Sequence, residues 1–316
     1  MPSESEFVAA LVATLPADLR LEVPAGDDAA VLRPPAGRRT VVTVDMLMEG
    51  VDFVLGAECS PEAVGHKALA VNLSDLAAMG ARPEAAVVAV ALPRHGGEPL
   101  GRGIQAGIAS LAATYNLALA GGDTNTWSGP LVISITAIGS VAPGRAWRRD
   151  MARPGDLLVA SGSFGGSILG RHLAVEPRCR EAAWIAESFL VHAAIDVSDG
   201  LSLDLGRMMA ASRTAGVVDL DAVPIHPDAV RLAARDGREP LEHALEDGED
   251  FEIVLAMPAA DARRLVVESG RHPPGTRFTI IGEVVSGAGL MARSAGGPLC
   301  PLIPRGYLHG FDDQAP

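Results

Sequence analysis

The feature of this sequence that most constrains its fold is a recurrent pairing of short apolar runs with acidic residues. Asp27-Asp28, Asp45, Asp75, Asp123, Asp196 with Asp199, and Glu249-Asp250 each stand at the exit of an apolar run or inside an apolar helix. An ionised carboxylate in such a setting is costly unless a cation or several hydrogen-bond donors balance it, and strand ends are where loops converge on ligands. Any one of these residues also reads as a helix cap or an Asx turn. As a set, carboxylates without matching Lys or His suggest hard divalent cations, magnesium above all.

The apolar runs follow two periodicities. Glu4 to Leu15 has helical spacing and stops before Pro16. The β-branched run Thr40 to Val44, bounded by Gly37 and Asp45, predicts a buried strand with Asp45 at its end. Residues 61–79 predict an apolar helix opened by Pro61 and closed at Gly80 to Pro83. A strand (Ala85 to Leu92), a helix (98–115), a strand from Leu117 to Ala120 leading into Gly121-Gly122-Asp123, and a strand from Leu131 to Ile138 follow. Between Pro143 and Gly155 the texture turns basic and Pro/Gly-rich, which predicts a domain boundary, with an N-terminal domain over 1–144 and a C-terminal domain over 145–316. The second half resumes with a strand (Asp156 to Ala160) and a Gly-rich turn, Ser161 to Ser167, expected to open a helix. Then come a strand-like run ending at Asp196, a helix (201–213), strand Val217 to Leu220, the apolar run after Asp250, a helix (259–268), strand Phe278 to Val285 and a tail ending GYLHGF. The fold class is α/β (mixed α+β) in two domains.

Composition narrows the functions open to such a chain. With 316 residues, 48% hydrophobic and 21% charged, it has the make-up of a folded protein rather than a disordered one. Aromatics are scarce at 4%, so the core is expected to rest on Ala, Val, Leu and Ile. The formal charge of −13 disfavours nucleic acid as a partner, because a polyanion meets repulsion. The 3 Cys, at 59, 179 and 300, have no CxxC or Cys/His spacing, which argues against a disulfide framework or a zinc site and fits the cytoplasm. The N-terminus has no basic leader and no run of ~18 apolar residues occurs, so no membrane association is expected. Lys67, the only lysine, lies outside any GxxxxGK[ST] frame, which excludes a P-loop; HExxH, GxSxG and protein-kinase signatures are absent as well.

Asp75 is the sharpest of the carboxylates. It stands in ALAVNLSDLAAMGA among Leu69, Leu73 and Leu76, and Asn72 lies one turn earlier on a shared face; a solvent-facing polar stripe is the other reading. In AAIDVSDGLSLDLG, Asp196, Ser198 and Asp199 surround one turn before a helix whose first N–H groups can hold a phosphate. Gly121-Gly122-Asp123 allows a backbone to approach a ligand beside a carboxylate. The SGSFGGS turn reads equally as an anion cradle or as a tight strand-to-helix turn.

Taken together, GDDAAV (26–31), TVDMLMEGVDF (43–53), KALAVNLSDLAAMGA (67–81), GGDT (121–124), IDVSDGL (195–201), GEDFE (248–252) and GY (306–307) resemble the thiamine-monophosphate kinases. These belong to the superfamily of aminoimidazole ribonucleotide synthetase and selenophosphate synthetase, and the match runs in order over nearly the whole chain. The resemblance implies transfer of the γ-phosphoryl group of ATP onto thiamine monophosphate, giving thiamine diphosphate. It implies two mixed α/β domains, a homodimer formed through N-terminal strands, and a cleft holding ATP and several Mg2+ ions. By position, Asp28, Thr43, Asp45, Asp75, Asp123, Asp196 and Asp199 resemble the metal set. Asp28, Gly122, Asp123, Arg149 and Ser198 resemble the ATP contacts, while Asp52, Glu249 and Tyr307 fall where the family binds the thiamine moiety. No catalytic residue is implied beyond the metal shell.

The departures gather on the acceptor side. Asp52 stands where the family commonly has His, GGDTNTWSG replaces GGDTTRG, Asp247 replaces the first glycine of GGED, and a helix-sized segment is missing between 161–170 and 172–178. A paralogous ATP-using enzyme with a different small acceptor is the first alternative. A non-catalytic ATP-binding protein is the second; retention of mutually repelling carboxylates argues against it.

Overall fold

Short β-branched runs and Ala-rich helical runs alternate through the first half, and the computed structural model, which describes residues 4–271, 275–308 and 310, assembles them into one unit of Met1–Ala146 with Leu173–Ala183. Its elements are α1 (Glu4–Val12), a small antiparallel pair β1 (Leu21–Val23) and β2 (Val31–Leu32), β3 (Arg39–Met48), α2 (Pro61–Ala78), β4 (Arg82–Pro93), α3 (Gly97–Thr114), β5 (Ala118–Trp127) and β6 (Val132–Val141). The main sheet runs β3-β6-β4-β5 and is antiparallel except for β4–β5, whose parallel crossover is α3.

The local sequence explains α2. Ser60 caps it by accepting the Ala63 N–H at 3.2 Å, and Pro61 suits a first turn whose N–H groups have no helical partner. At the other end Gly80 takes a left-handed φ of 63°, and the Ala81 N–H bonds the Leu76 carbonyl at 2.9 Å. The helix packs against β3, β6 and α3, so even Lys67, Asn72 and Ser74 are buried. It meets α3 so closely that a Cβ on Gly65 or Gly107 would lie 2.0 Å from the carbonyl oxygen of Ile104 or Glu62 respectively.

Two expectations are corrected in this sheet. β3 is not a buried strand ending at Asp45: it continues to Met48 and forms one edge of the sheet, with Asp45 in mid-strand opposite Ile135. Thr43, Asp45 and Leu47 alternate with the exposed Val42, Val44, Met46 and Met48, because α2 covers only one face. Likewise β5 does not stop before Gly121. A bulge at Ala120, between the Ala86–Leu119 and Val87–Gly121 pairs, lets the strand run on to Trp127. Gly122 serves that pairing, since a Cβ there would lie 1.9 Å from the Val88 carbonyl oxygen.

α4 (Cys179–Ser188) has its first residues in the first unit and its last in the second, which comprises Trp147–His172 with Trp184–Pro316. The second unit holds β7 (Asp156–Ser161), β8 (Ala193–Asp196), α5 (Leu201–Ser212), β9 (Ala215–Asp219), α6 (Pro227–Asp236), α7 (Pro240–Glu246), β10 (Ile253–Pro258), α8 (Ala259–Ser269), β11 (Phe278–Val285), β12 (Gly289–Arg293) and β13 (Cys300–Pro301). The sheet order is β13-β12-β9-β11-β7-β10-β8, antiparallel apart from β9–β12. α5 packs on β8, β9 and β12, α8 on β7, β10 and β11, and the core carries Leu158, Ile195, Leu205, Met208 and Val254.

The Gly-rich turn after β7 does not open an α-helix. It leads into short 3-10 turns at Ser167–Leu169 and Arg171–Leu173, because Gly162, Gly165, Gly166 and Gly170 all have positive φ. A Cβ on Gly165 or Gly166 would lie 2.7 Å or 2.4 Å from the backbone of His243 or Asp228. In the expected tail GYLHGF, His309 and Phe311 lie outside the described residues. Among the described residues, no helix is long and apolar enough to cross a membrane.

Candidate functional site

The first unit brings Thr43, Asp45, Asp52 and Asp75 together where β3 meets α2. Thr43 Oγ1 donates to Asp75 Oδ2 in a close hydrogen bond, so Asp75 is tied to the strand instead of lying on a free polar stripe. The Asp45 carboxyl is pushed up to about 6, first by burial and then by the negative charges of Asp75 and Asp52. Asp52 sits in the turn after β3. Its Oδ2 accepts the Met48 N–H at 2.7 Å, and its own N–H bonds the Met48 carbonyl at 2.9 Å. Nearby on α2, Asn72 donates to the Ala68 carbonyl at 3.0 Å while its buried Oδ1 has no hydrogen-bond partner among the described residues.

A second group lies within the same unit. Asp28, Gly122 and Asp123 line a cavity of about 1090 Å³ bounded by α1, α3, residues 25–32 and the adjoining parts of β4 and β5. Asp123 pairs with Ala89, and through Ser134 its row leads to Met46, the exposed face of the sheet; Asp45 and Gly122 share the other face. Sequence spacing could not separate these two faces, because a bulge changes the parity of the strand.

The second unit gathers Asp196, Ser198, Asp199, Glu249 and Tyr307 at the exit of β8. The Glu249 N–H bonds the Ser198 carbonyl at 2.7 Å, and the Tyr307 N–H bonds the Asp199 carbonyl at 2.9 Å. Glu249 adopts φ 62°, a left-handed conformation that a non-glycine residue reaches only when its surroundings impose it. Arg149 stands elsewhere: its carbonyl accepts from Ser212 Oγ at the last turn of α5, whereas Ser198 and Asp199 precede the first.

Internal carboxylates occupy the amides of two turns, and the anion cradle expected at the Gly-rich turn is corrected. The N–H groups of Ser198, Asp199 and Gly200, in the turn before α5, all point at Asp204 Oδ2, at 3.1, 2.9 and 3.2 Å, so that turn is not open to a phosphate. Arg207 then bridges Asp204 Oδ1 and Asp199 Oδ2. In the Gly-rich turn, the Gly165 N–H is shared by both oxygens of Asp250, and the Gly166 N–H goes to Asp247 at 2.8 Å. Burial pushes the Asp250 carboxyl up to about 7, although the Arg171 guanidinium at 2.9 Å acts in the opposite sense. Asp204 and Arg207 are the residues sequence reasoning missed. Their only signal is a second Asp five positions after Asp199, followed by an Arg three positions later.

Among the described residues, no three His, Cys, Asp or Glu side chains form a ready metal cage. The Asp45 group nevertheless suits a divalent cation by the chemistry of its donors, because the charges of Asp75 and Asp52 act on the buried Asp45 carboxyl and a cation would offset them. Magnesium keeps several waters and needs only one or two protein carboxylates.

Comparison with known proteins gives a consistent set of likenesses. Family models described as AIR synthase related protein, N-terminal domain, and AIR synthase related protein, C-terminal domain, match residues 26–141 and 153–293. The thiamine-monophosphate kinase of Rhodopirellula baltica is 43% identical over 297 residues, covering 92% of each chain. The crystal structure of thiamine-monophosphate kinase from Stenotrophomonas maltophilia superposes with a TM-score of 0.77 at 35% identity, over 90% of this chain and 94% of that one. AaThiL complexed with AMPPCP and TMP gives 0.74 at 26% identity, over 97% of both chains.

Proposed function

Because this chain belongs to the thiamine-monophosphate kinase family, within the AIR synthase related proteins, we infer that it transfers the γ-phosphoryl group of ATP onto thiamine monophosphate. The observation that carries the reading is the Asp45, Asp52 and Asp75 group, which brings three carboxylates together at one place in the first unit. We assign magnesium ions to Asp28, Thr43, Asp45, Asp75, Asp123, Asp196 and Asp199. When bound, magnesium would supply the positive charge that lets two phosphate-bearing substrates approach each other.

The chain's own residues bind and orient. Asp28, Gly122 and Asp123, with Arg149 and Ser198, are assigned to ATP; the first three line one cavity, which supports their grouping. Asp52, Glu249 and Tyr307 are assigned to the acceptor. Thiamine carries a permanent cationic ring, and two carboxylates with an aromatic side chain suit it chemically. An acceptor phosphate oxygen attacks the γ-phosphorus as the bond to the β,γ-bridging oxygen breaks and ADP departs. That oxygen is already ionised at neutral pH, so no general base is required, and Thr43 and Asp75 serve to hold position.

We assign the ATP, metal and dimerisation roles to a domain over 1–144, with the remainder over 145–316. A homodimer is supported by β3, whose Val42, Val44 and Met46 are each about 60% exposed on one apolar face suited to a second copy. The reading places the enzyme in the cytoplasm, in keeping with 3 unpaired thiols.

The test is the purified protein with ATP, magnesium and thiamine monophosphate, followed for thiamine diphosphate and ADP in equal amounts. ATP binding without thiamine diphosphate would move the chain to another acceptor. The departure at Asp52 is where such a difference would reside.

A further inference from the structure

Lys67 is the only lysine in the chain, and its side chain lies fully buried within α2. A buried ammonium persists only where it is hydrogen-bonded, and here Nζ donates to the Asp52 carbonyl at 2.6 Å. Asp52 is therefore held at three points, its N–H, its Oδ2 and its carbonyl, the first two by Met48 and the third by Lys67. The rest of the turn is open: Val51 and Val54 are exposed, and Phe53 alone among its apolar residues packs inward. About two helical turns further along α2, Asp75 accepts from Thr43. The helix thus reaches both β3 and the turn that follows it.

We propose that Lys67 is a positioning residue for the acceptor: its ammonium fixes the Asp52 turn against α2 and so sets where the Asp52 carboxylate meets the bound thiamine phosphate. The proposal rests on the kinase reading, which puts Asp52 in the acceptor site. A lysine suits the task because its four-carbon stem threads an apolar helix face while its tip donates at the far end. Methionine would fill the same space without donating.

The test is Lys67→Met, in the full chain. We expect the KM for thiamine monophosphate to rise about tenfold, with the KM for ATP within about twofold and kcat less affected than the acceptor KM. Hydrogen exchange at the Met48 and Asp52 amides should accelerate, while exchange in the core of α2 stays slow. In an Asp52→Ala background, Lys67→Met should add little, because its effect runs through Asp52. An unchanged acceptor KM, an equal rise in both KM values, unaltered exchange at Met48 and Asp52, or additive effects with Asp52→Ala would each overturn the proposal. Wild-type protein that binds no thiamine monophosphate by calorimetry would overturn the kinase reading and this proposal together, whereas tight wild-type binding with an indifferent Lys67→Met variant overturns this proposal alone.

Discussion

The two units surround their buried carboxylates with different neighbours, although burial raises Asp45 in the first and Asp250 in the second alike. In the first, Asp45 lies beside Asp75 and Asp52 and is pushed up to about 6 by burial and by their charge. In the second, the buried carboxylates have partners. Asp204 takes three backbone N–H groups and Arg207. Asp250 takes Gly165 and Arg171, Asp156 takes His192, and Asp228 takes Arg231. The difference separates two uses of the same side chain. A carboxylate balanced from within holds the fold together, and one left with like charges is available to a cation from outside.

That contrast is broken most directly by exchanging each kind for a neutral or truncated side chain. Asp45→Asn or Asp75→Asn should lower kcat by about a thousandfold while leaving the melting temperature unchanged or slightly higher, since repulsion is relieved. Asp204→Ala should do the reverse at the level of the fold. It strands three N–H groups and takes from Arg207 one of its two carboxylate partners, at a cost of about 3 kcal/mol, read as a lower denaturation midpoint. A stable, active Asp204→Ala variant, or an unfolded Asp45→Asn variant, would erase the distinction.

A smaller effect sharpens the comparison through pH. The Asp250 carboxyl is raised to about 7 in the fold from an ordinary 3.8. At low pH, folded and unfolded chains both keep the proton. As pH climbs from about 4 towards 7 the unfolded chain ionises first, so the folded state loses stability, by at most about 1.4 kcal/mol per pH unit. Asp250→Asn carries no such proton. Denaturation at pH 5 and pH 7.5 should therefore show the wild type losing more stability than the variant over that interval, and parallel curves would refute the raised carboxyl.

How far this was legible in the sequence depends on the link of the chain considered. Elements with a clear period were readable: strand Phe278 to Val285 and the helix opened by Pro61 lie close to their expected bounds. The short α6 and α7, each opened by proline and surrounded by charge, offered too little apolar pattern, as did the two-residue strands β2 and β13. β3 misled for a physical reason: β-branched residues favour a strand whether or not both faces are covered, and only the order of the sheet makes it an edge. Site candidates could be named because carboxylates stand out among apolar residues. Their partners could not. Asp199 and Asp204 occur in one string of sequence, yet Asp204 folds back onto the amides before α5 while Asp199 meets Arg207.

The smallest expected effect concerns Asp247, which stands where the family commonly has glycine. Its carboxylate accepts from the Gly166 N–H at 2.8 Å and faces Nδ1 of the buried His243 at 3.0 Å. Nε2 of the same ring faces Asp236 at 3.2 Å, so the imidazole joins α6 to the residue that ends α7. Replacing Asp247 by glycine removes one end of that link and leaves the Gly166 amide to water, a loss of about 1 kcal/mol and about 1.5 °C in Tm. If Asp247 belongs to the internally balanced carboxylates of the second unit, Asp247→Gly keeps the wild-type KM for thiamine monophosphate and ATP while melting slightly earlier. A changed acceptor KM at unchanged Tm would instead place Asp247 among the residues that meet the substrate, and the contrast between the units would no longer follow their boundary.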